Sequence, residues 1–222
     1  MFYNLIKRIF DLISAIILLL IISPFFLLIM VILRFTGEKE IFYFQKRLGL
    51  NNKPFFIWKF ATMIKNSANI GSKDLTLRDD PRVTRVGKFL RLTKINELPQ
   101  IINVIKGDIS VVGPRPLMLV SFQKYDSEIQ KKIYKIKPGI TGIGSIVFRD
   151  EEKLISNLSE IDPHVFYKNK IAPFKGKIEI WYQNNRSFKL DLKILFFTFW
   201  VIIFPKNKSY TKIFKGIPKR NF

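Results

Sequence analysis

The chain has 222 residues, a formal net charge of +21, 48% hydrophobic residues including 22 phenylalanines, and no cysteine. The missing cysteines exclude disulfides and thiolate metal sites, and a single histidine, His164, excludes a histidine-built zinc centre or a repeated His-based site. So large a positive excess calls for an anionic partner, and the apolar and aromatic content favours the phosphate-rich face of a membrane over nucleic acid.

Leu12 to Leu33 carries no charge and is long enough to cross a bilayer. Lys7 and Arg8 precede it, Arg34 and Lys39 follow it, and Ser23-Pro24 lies at its midpoint. Positive charge on both flanks favours two cytoplasmic ends, and a proline inside a helix kinks it. A re-entrant helix over residues 1–36 satisfies both conditions; a single span is the alternative. Arg8 and Asp11 share one helical face and are expected to pair.

A domain over residues 37–205 follows. Ile41–Phe44 and Pro54–Phe60 are apolar-rich runs around Gly49-Leu50-Asn51-Asn52-Lys53, which reads as a hairpin turn. Ala68 to Asp80 is polar and reads as a loop, and Val83 to Leu92 as a short basic helix. Residues 117–136 are expected to form one helix with Tyr125, Ile129, Ile133 and Tyr134 on one side, ended by Pro138-Gly139. Gly139, Gly142 and Gly144 make either a plain turn or a loop whose N–H groups cradle a phosphate. Glu151–Ser159 and Lys177–Asn184 are further helix candidates. Ile194 to Phe204 is uncharged but too short to span, so it is a core helix or an amphipathic helix lying in the membrane interface. Residues 206–222 form a basic, loosely ordered tail. The fold class is α+β, mostly helical.

Thr93 to Pro116, TKINELPQIINVIKGDISVVGPRP, carries the chemistry. Leu98, Ile101, Ile102 and Ile105 fall at helical spacing. Pro99 suits a first turn and Gly107 a helix end. Arg115 then sits between Pro114 and Pro116, which restrict the backbone that presents its guanidinium. An arginine fork near the carboxylate of Glu97 suits a phosphate and its metal ion.

These residues carry a resemblance. Asn96-Glu97, Leu98-Pro99-Gln100, Asn103-Val104-Ile105-Lys106-Gly107-Asp108 and Gly113-Pro114-Arg115-Pro116 resemble the signature of the bacterial sugar transferases, the monotopic polyprenyl-phosphate phosphoglycosyl transferases. KRIFD at 7–11, Ser23-Pro24, Lys59-Phe60 with Thr62-Met63, DPRVTRVGKFLR at 80–91 and KPGITG at 137–142 are similar to further family boxes. The resemblance implies transfer of a phosphosugar from a nucleotide sugar, UDP-linked, to undecaprenyl phosphate. It implies a monotopic protein on the cytoplasmic face of the bacterial inner membrane, making the first step of a surface polysaccharide or glycoconjugate. It implies Mg2+ held by Glu97, phosphate binding by Lys59, Arg91 and Arg115, with Arg82 and Arg85 as weaker candidates, and an active-site or ion-pair role for Asp191. Anionic lipids are expected partners, nucleic acid is not, and an oligomer is left open.

Three departures stand out. The family nucleophile is the aspartate of an Asp-Glu pair, and Asn96 occupies that place. Ala61 replaces a basic residue in the box that begins at Lys59, and Ile143–Asp150 differs from the usual Trp- or Gln-containing run. Asn and Asp are both good helix N-caps, so Asn96 also reads as a cap. An amide is a far poorer nucleophile than a carboxylate. The sequence therefore leaves open an impaired homologue, a subgroup with Glu97 as nucleophile, direct transfer with Asn96 orienting phosphate, and deamidation to Asp. A rival outside this class is a single-span membrane protein with a nucleic-acid-binding domain.

Overall fold

The computed structural model describes residues 2–67, 80–156, 162–204 and 210–222. Helix α1 (Phe2–Phe35) is long and apolar enough to cross a membrane, and it runs unbroken through Pro24. Proline lacks the N–H that would reach the carbonyl four residues back. The Ser23 hydroxyl donates to that Leu20 carbonyl instead, at 2.8 Å. Ser23-Pro24 is thus a helical position and not a loop.

One stripe of α1 faces the rest of the protein. Asp11, Ala15, Leu19, Ile22, Phe26, Ile29 and Leu33 recur every three or four residues and are buried or packed against buried clusters. The other side exposes Ile13, Ile17, Leu20, Leu28 and Val31. The stripe from Asp11 to Leu33 is about 33 Å long at the helical rise of about 1.5 Å per residue.

Strands β1 (Phe42–Leu48) and β2 (Pro54–Phe60) pair antiparallel, Phe42 opposite Phe60, as the hairpin pattern predicts. Asn51 and Asn52 adopt φ of 53° and 61° in the turn, a region asparagine tolerates better than most residues. Phe60 packs beneath Phe26, with ring centroids 4.8 Å apart. Helix α2 (Arg85–Leu92) is the expected short basic helix, capped by Thr84, whose Oγ1 accepts the Gly87 N–H at 3.0 Å. The loop expected over 68–80 lies, except for Asp80, outside the described residues.

Helix α3 (Gln100–Lys106) ends at Gly107 with φ 87°, as a C-terminal glycine should. Arg8 of α1 donates to the Val104 and Ile105 carbonyls at 2.6 and 2.9 Å, where a cation also suits the helix dipole. Asp11 accepts from Ser110 Oγ (2.6 Å) and the Val111 N–H (3.1 Å) on β3 (Ser110–Val112). Arg8 and Asp11 therefore do not pair with each other. Each satisfies backbone groups of the α3–β3 link, which is worth more once both are removed from water.

The helix expected over 117–136 is two: α4 (Leu119–Phe122) and α5 (Ser127–Lys132). Asp126 is extended before α5, and Asp-Ser pairs favour helix starts over helix interiors. The break still buries Tyr125, Ile133 and Tyr134. The glycine-rich stretch is neither a plain turn nor a phosphate loop. Gly139 opens β4 (Gly139–Thr141), which pairs in parallel with β3, and Gly142 precedes α6 (Ile143–Val147). A Cβ at Gly139 would sit 2.1 Å from the Gly113 nitrogen, and one at Gly142 2.1 Å from the Gly113 oxygen. Both glycines let backbones touch.

Helices α7 (Glu151–Ser156), α8 (Pro163–Phe166), α9 (Ala172–Asn185) and α10 (Phe188–Ile203) complete the domain, with a π-turn at Tyr167–Ile171 joining α8 to α9. Residues 157–159 of the first candidate helix lie outside the described residues. On α10, Ile194, Phe197 and Val201 enter the main core, whereas Phe196, Phe199, Ile202 and Ile203 are exposed. It is both a core helix and an apolar surface.

From Tyr210 onward the tail is anchored, not loose. Helix α11 (Tyr210–Ile213) brings Phe214 and Ile217 into the main core. Phe222 packs among Phe148, Phe166 and Phe174. Arg220 makes two bonds to Asp150, at 2.7 and 2.6 Å. The anchors of residues 210–222 are not visible locally, because their partners are distant in sequence. Truncation after Lys219 removes the Arg220 fork and Phe222 together. It is expected to destabilise the protein by about 1–3 kcal/mol, read as a lower thermal midpoint in detergent beside the full chain.

Candidate active site

Glu97 ends a 3-10 turn, Ile95–Glu97, entered through Lys94 in the left-handed region at φ 62°. Arg115 leaves the β3 strand in the Gly-Pro-Arg-Pro loop. The two meet as a fork on a carboxylate: Arg115 Nη2 donates to Glu97 Oε1 at 2.6 Å and Nη1 to Oε2 at 3.3 Å. The side chains keep 40% and 16% exposure, so the fork is open to an incoming ligand.

Other cations surround this pair. Lys59 on β2 lies 3.5 Å from Gln45 Oε1 on β1. Arg47 on β1 donates to the same Gln45 oxygen at 2.5 and 3.1 Å, and to the Pro116 carbonyl at 3.2 Å. Arg91, at the end of α2, is close enough to repel a proton from Lys59. Burial would raise the Glu97 carboxyl, but the Arg115 and Lys59 charges and the Arg115 hydrogen bonds hold it well below the usual carboxylate range. The same carboxylate raises Arg115. Burial, then the neighbouring Arg47 charge, pushes the Lys59 amine down to about 7. Burial and Arg115 push Arg47 down to about 10, still a cation at neutral pH. Crowded positive charge of this kind is poised for a polyanion.

The structure thus brings together Glu97, Lys59, Arg91 and Arg115 from the sequence reading. Arg47 and Gln45 were missed. Their signal was weak: two polar side chains at i and i+2 on the strand paired with Lys59, hence on its face.

Asn96 stands beside Glu97 in the turn, 7% exposed, and its Oδ1 has no hydrogen-bond partner. It is not a helix cap: α3 starts at Gln100 after Pro99, and Asn96 lies in the preceding 3-10 turn. An unpartnered buried acceptor costs about 1–3 kcal/mol and needs an explanation in ligand or chemistry.

Three candidates go elsewhere. Asp191 is 2% exposed and takes Lys7 Nζ (2.7 Å), Tyr3 Oη (2.9 Å) and Tyr182 Oη (2.6 Å), so it ties α1 to α9 and α10 as an ion pair. Arg82 is buried against Asp80, Nε to Oδ1 at 2.8 Å and Nη2 to Oδ2 at 2.5 Å, which occupies the guanidinium in a structural staple. Arg85 is exposed at the start of α2.

No group of three or more His, Cys, Asp or Glu that would cage a metal occurs among the described residues. Glu97 alone fits a different arrangement. Magnesium takes one or two carboxylates and fills its shell with substrate phosphate and water. Glu97 is ionised, partly exposed and surrounded by groups that attract phosphate, so it meets that requirement.

The comparisons with known proteins give the family. The family model described as bacterial sugar transferase matches residues 2–205. The uncharacterized sugar transferase EpsL of Bacillus subtilis (strain 168) is 38% identical over 194 residues, 87% of this chain and 85% of that protein. The exopolysaccharide production protein ExoY of Sinorhizobium fredii is 34% identical over 206 residues, covering 86% and 83%. The UDP-glucose:undecaprenyl-phosphate glucose-1-phosphate transferase of Klebsiella pneumoniae is 36% identical over 197 residues, but the match spans only 39% of that longer protein. With a match along nearly its whole length and the Glu97–Arg115 pair inside it, this chain belongs to the bacterial sugar transferase family.

Proposed function

We propose that this protein transfers a phosphosugar from a UDP-sugar to undecaprenyl phosphate at a membrane surface, as the first step of a surface polysaccharide or glycoconjugate. The observation that carries the reading is the Arg115 fork on Glu97 among Arg47, Lys59 and Arg91. These residues bind and orient the diphosphate; the relatives' names supply the two substrates. Glu97 would hold magnesium together with diphosphate oxygens. That ion, when bound, neutralises the diphosphate and eases departure of the nucleoside monophosphate.

The group at position 96 sits where an oxygen has no donor of its own. A carboxylate there would be poorly solvated and therefore reactive toward phosphorus. In the covalent route it bonds to the β-phosphorus as the bond to the leaving UMP oxygen breaks. The polyprenyl phosphate oxygen then attacks the same phosphorus and frees the carboxylate. Asn96 favours a second reading, a homologue that binds the same ligands without the covalent step. Nucleotide release from radiolabelled UDP-sugars, with and without undecaprenyl phosphate and magnesium, tests the first reading. Multiple-turnover release that needs both lipid and magnesium supports it, and no release from any UDP-sugar favours the second. Asn96→Asp is expected to raise turnover at least tenfold and to yield a phosphosugar adduct on residue 96 by mass spectrometry. An adduct on Glu97 of the native chain, abolished by Glu97→Gln, would assign the nucleophile to Glu97 instead.

A monotopic arrangement fits the way α1 packs. Both its beginning and its end lie against one domain, Asp11 and Ala15 beside α3 and β3, Phe26 and Leu33 beside β2 and α2. A straight span would carry one end through about 30 Å of hydrocarbon, away from that domain. The exposed apolar sides of α1 and α10 then rest in the cytoplasmic leaflet of the inner membrane, with lysines and arginines on anionic headgroups. Cysteines at Asn4 and Glu38, both exposed in this cysteine-free chain, are expected to label from the cytoplasmic side only. Labelling of the two from opposite sides would establish a span.

The Lys59 amine sets a pH dependence. In the free site it is an ammonium below about pH 7 and neutral above. A bound diphosphate favours the ammonium, so binding above pH 7 takes up a proton. Affinity for a UDP-sugar is expected to be flat below pH 7 and to fall by up to ~tenfold per pH unit above it. Calorimetry in two buffers of different ionisation enthalpy reads the proton uptake, and Lys59→Met should abolish it.

A further inference from the structure

The prolines flanking Arg115 do not account for its placement alone. Each neighbouring carbonyl in the loop is held by backbone or by the site itself: Pro114 O by the Gly139 N–H at 2.8 Å, Pro116 O by Arg47 at 3.2 Å, and Leu117 O by the Leu48 N–H at 2.9 Å. The Arg115 peptide is held by side chains from elsewhere. Tyr134, 1% exposed, donates its hydroxyl proton to the Arg115 carbonyl at 2.8 Å and accepts the Leu117 N–H at 2.8 Å. On the other side the Glu179 carboxyl of α9, 4% exposed, faces the N–H groups of Arg115 and Gly144. A side chain at residue 144 would block that approach, since its Cβ would sit 2.1 Å from Glu179 Oε1.

We propose that Tyr134, backed by Glu179, is a positioning residue for Arg115: it fixes the peptide from which the guanidinium reaches Glu97, without touching substrate. The inference rests on the proposed transferase reading only for the identity of the ligand that the fork receives.

The protonation states suit this role. Burial raises the Tyr134 hydroxyl well above its ordinary range, so it stays a donor. Burial also pushes the Glu179 carboxyl up to about 8, against the pull of Lys175 and the two N–H groups, so it is mostly neutral at pH 7. A neutral carboxyl is consistent with its Oε2, which has no hydrogen-bond partner; an uncharged orphan costs far less than a charged one. Sequence reading placed Tyr134 on an apolar helix face. Its ring does pack against Phe122 with centroids 5.8 Å apart, and only the fold shows that its hydroxyl meets the loop.

Tyr134→Phe keeps the ring and deletes both hydrogen bonds. It is measured with Arg115→Ala and the double variant, by amide hydrogen exchange over residues 113–117 and by steady-state kinetics with UDP-sugar and undecaprenyl phosphate. Tyr134→Phe is expected to speed exchange in that segment and to raise KM for the UDP-sugar about tenfold, with a smaller change in kcat. In the Arg115→Ala background it should change kcat/KM less than about twofold, because the group it positions is gone. Losses that multiply, or exchange that does not change, would overturn the proposal. If no variant and no native chain turns over, the transferase reading fails while the exchange measurement still decides the positioning role. Should Tyr134→Phe not fold, Glu179→Leu against Glu179→Gln carries the same test. Leucine removes the acceptor and should speed exchange; glutamine keeps an acceptor oxygen and should match the native chain. Equal exchange in the two would overturn it.

Discussion

Glu97 and Arg115 meet because α1 holds the link that separates them. Arg8 closes the carbonyl end of α3 and Asp11 takes the first groups of β3, so the turn from Lys106 to Ser110 has one geometry. Asn103 adds a third tie, accepting the Trp58 N–H at 2.9 Å and donating to the Phe56 carbonyl at 2.8 Å. This brings the hairpin, with Lys59 and Arg47, against the same link. The helix that is long and apolar enough to cross a membrane is therefore also the helix that fixes the geometry of the candidate site. The buried charge of Asp11 and the half-buried charge of Arg8 are tolerable because each meets backbone groups that would otherwise be unpaired.

The electrostatics follow from that assembly. A carboxylate removed from water among cations ionises readily, and the cations compete with one another for protons. Lys59 is the group that yields, because an amine loses its proton where guanidinium groups do not. The site is cationic around one acid, the reverse of a protein-built metal cage.

Two stretches distant in sequence turn out to be neighbours. Ile143–Asp150 lies inside the family match, and residues beyond 205 lie outside it. Phe148 packs on Phe222, while Arg220 reaches both Asp150 and the Val147 carbonyl. Glu151, next in sequence, accepts from Lys175 at 2.5 Å, one helical turn from Glu179. The run 143–150 and the C-terminal residues are thus parts of one contact.

Much of this was legible without coordinates. Contiguous signals named the β1–β2 hairpin, α2, α3 with its Gly107 stop, and the pairing of the Arg115 fork with the Glu97 carboxylate, because each lies within one short motif. The family pattern was equally local. Tertiary structure decided the rest, wherever the partner was remote or a single hydrogen bond mattered. Leu20 and Ser23 carry the helix past Pro24. Asp191 serves Lys7 from the far end of the chain, and Arg82 is spent on Asp80 rather than on phosphate. Gly139 and Gly142 admit a neighbouring backbone, and Gly144 the Glu179 carboxyl. Spacing tells which side chains share a face; it does not tell what that face will meet, and the energy of a buried polar group depends almost entirely on what it meets.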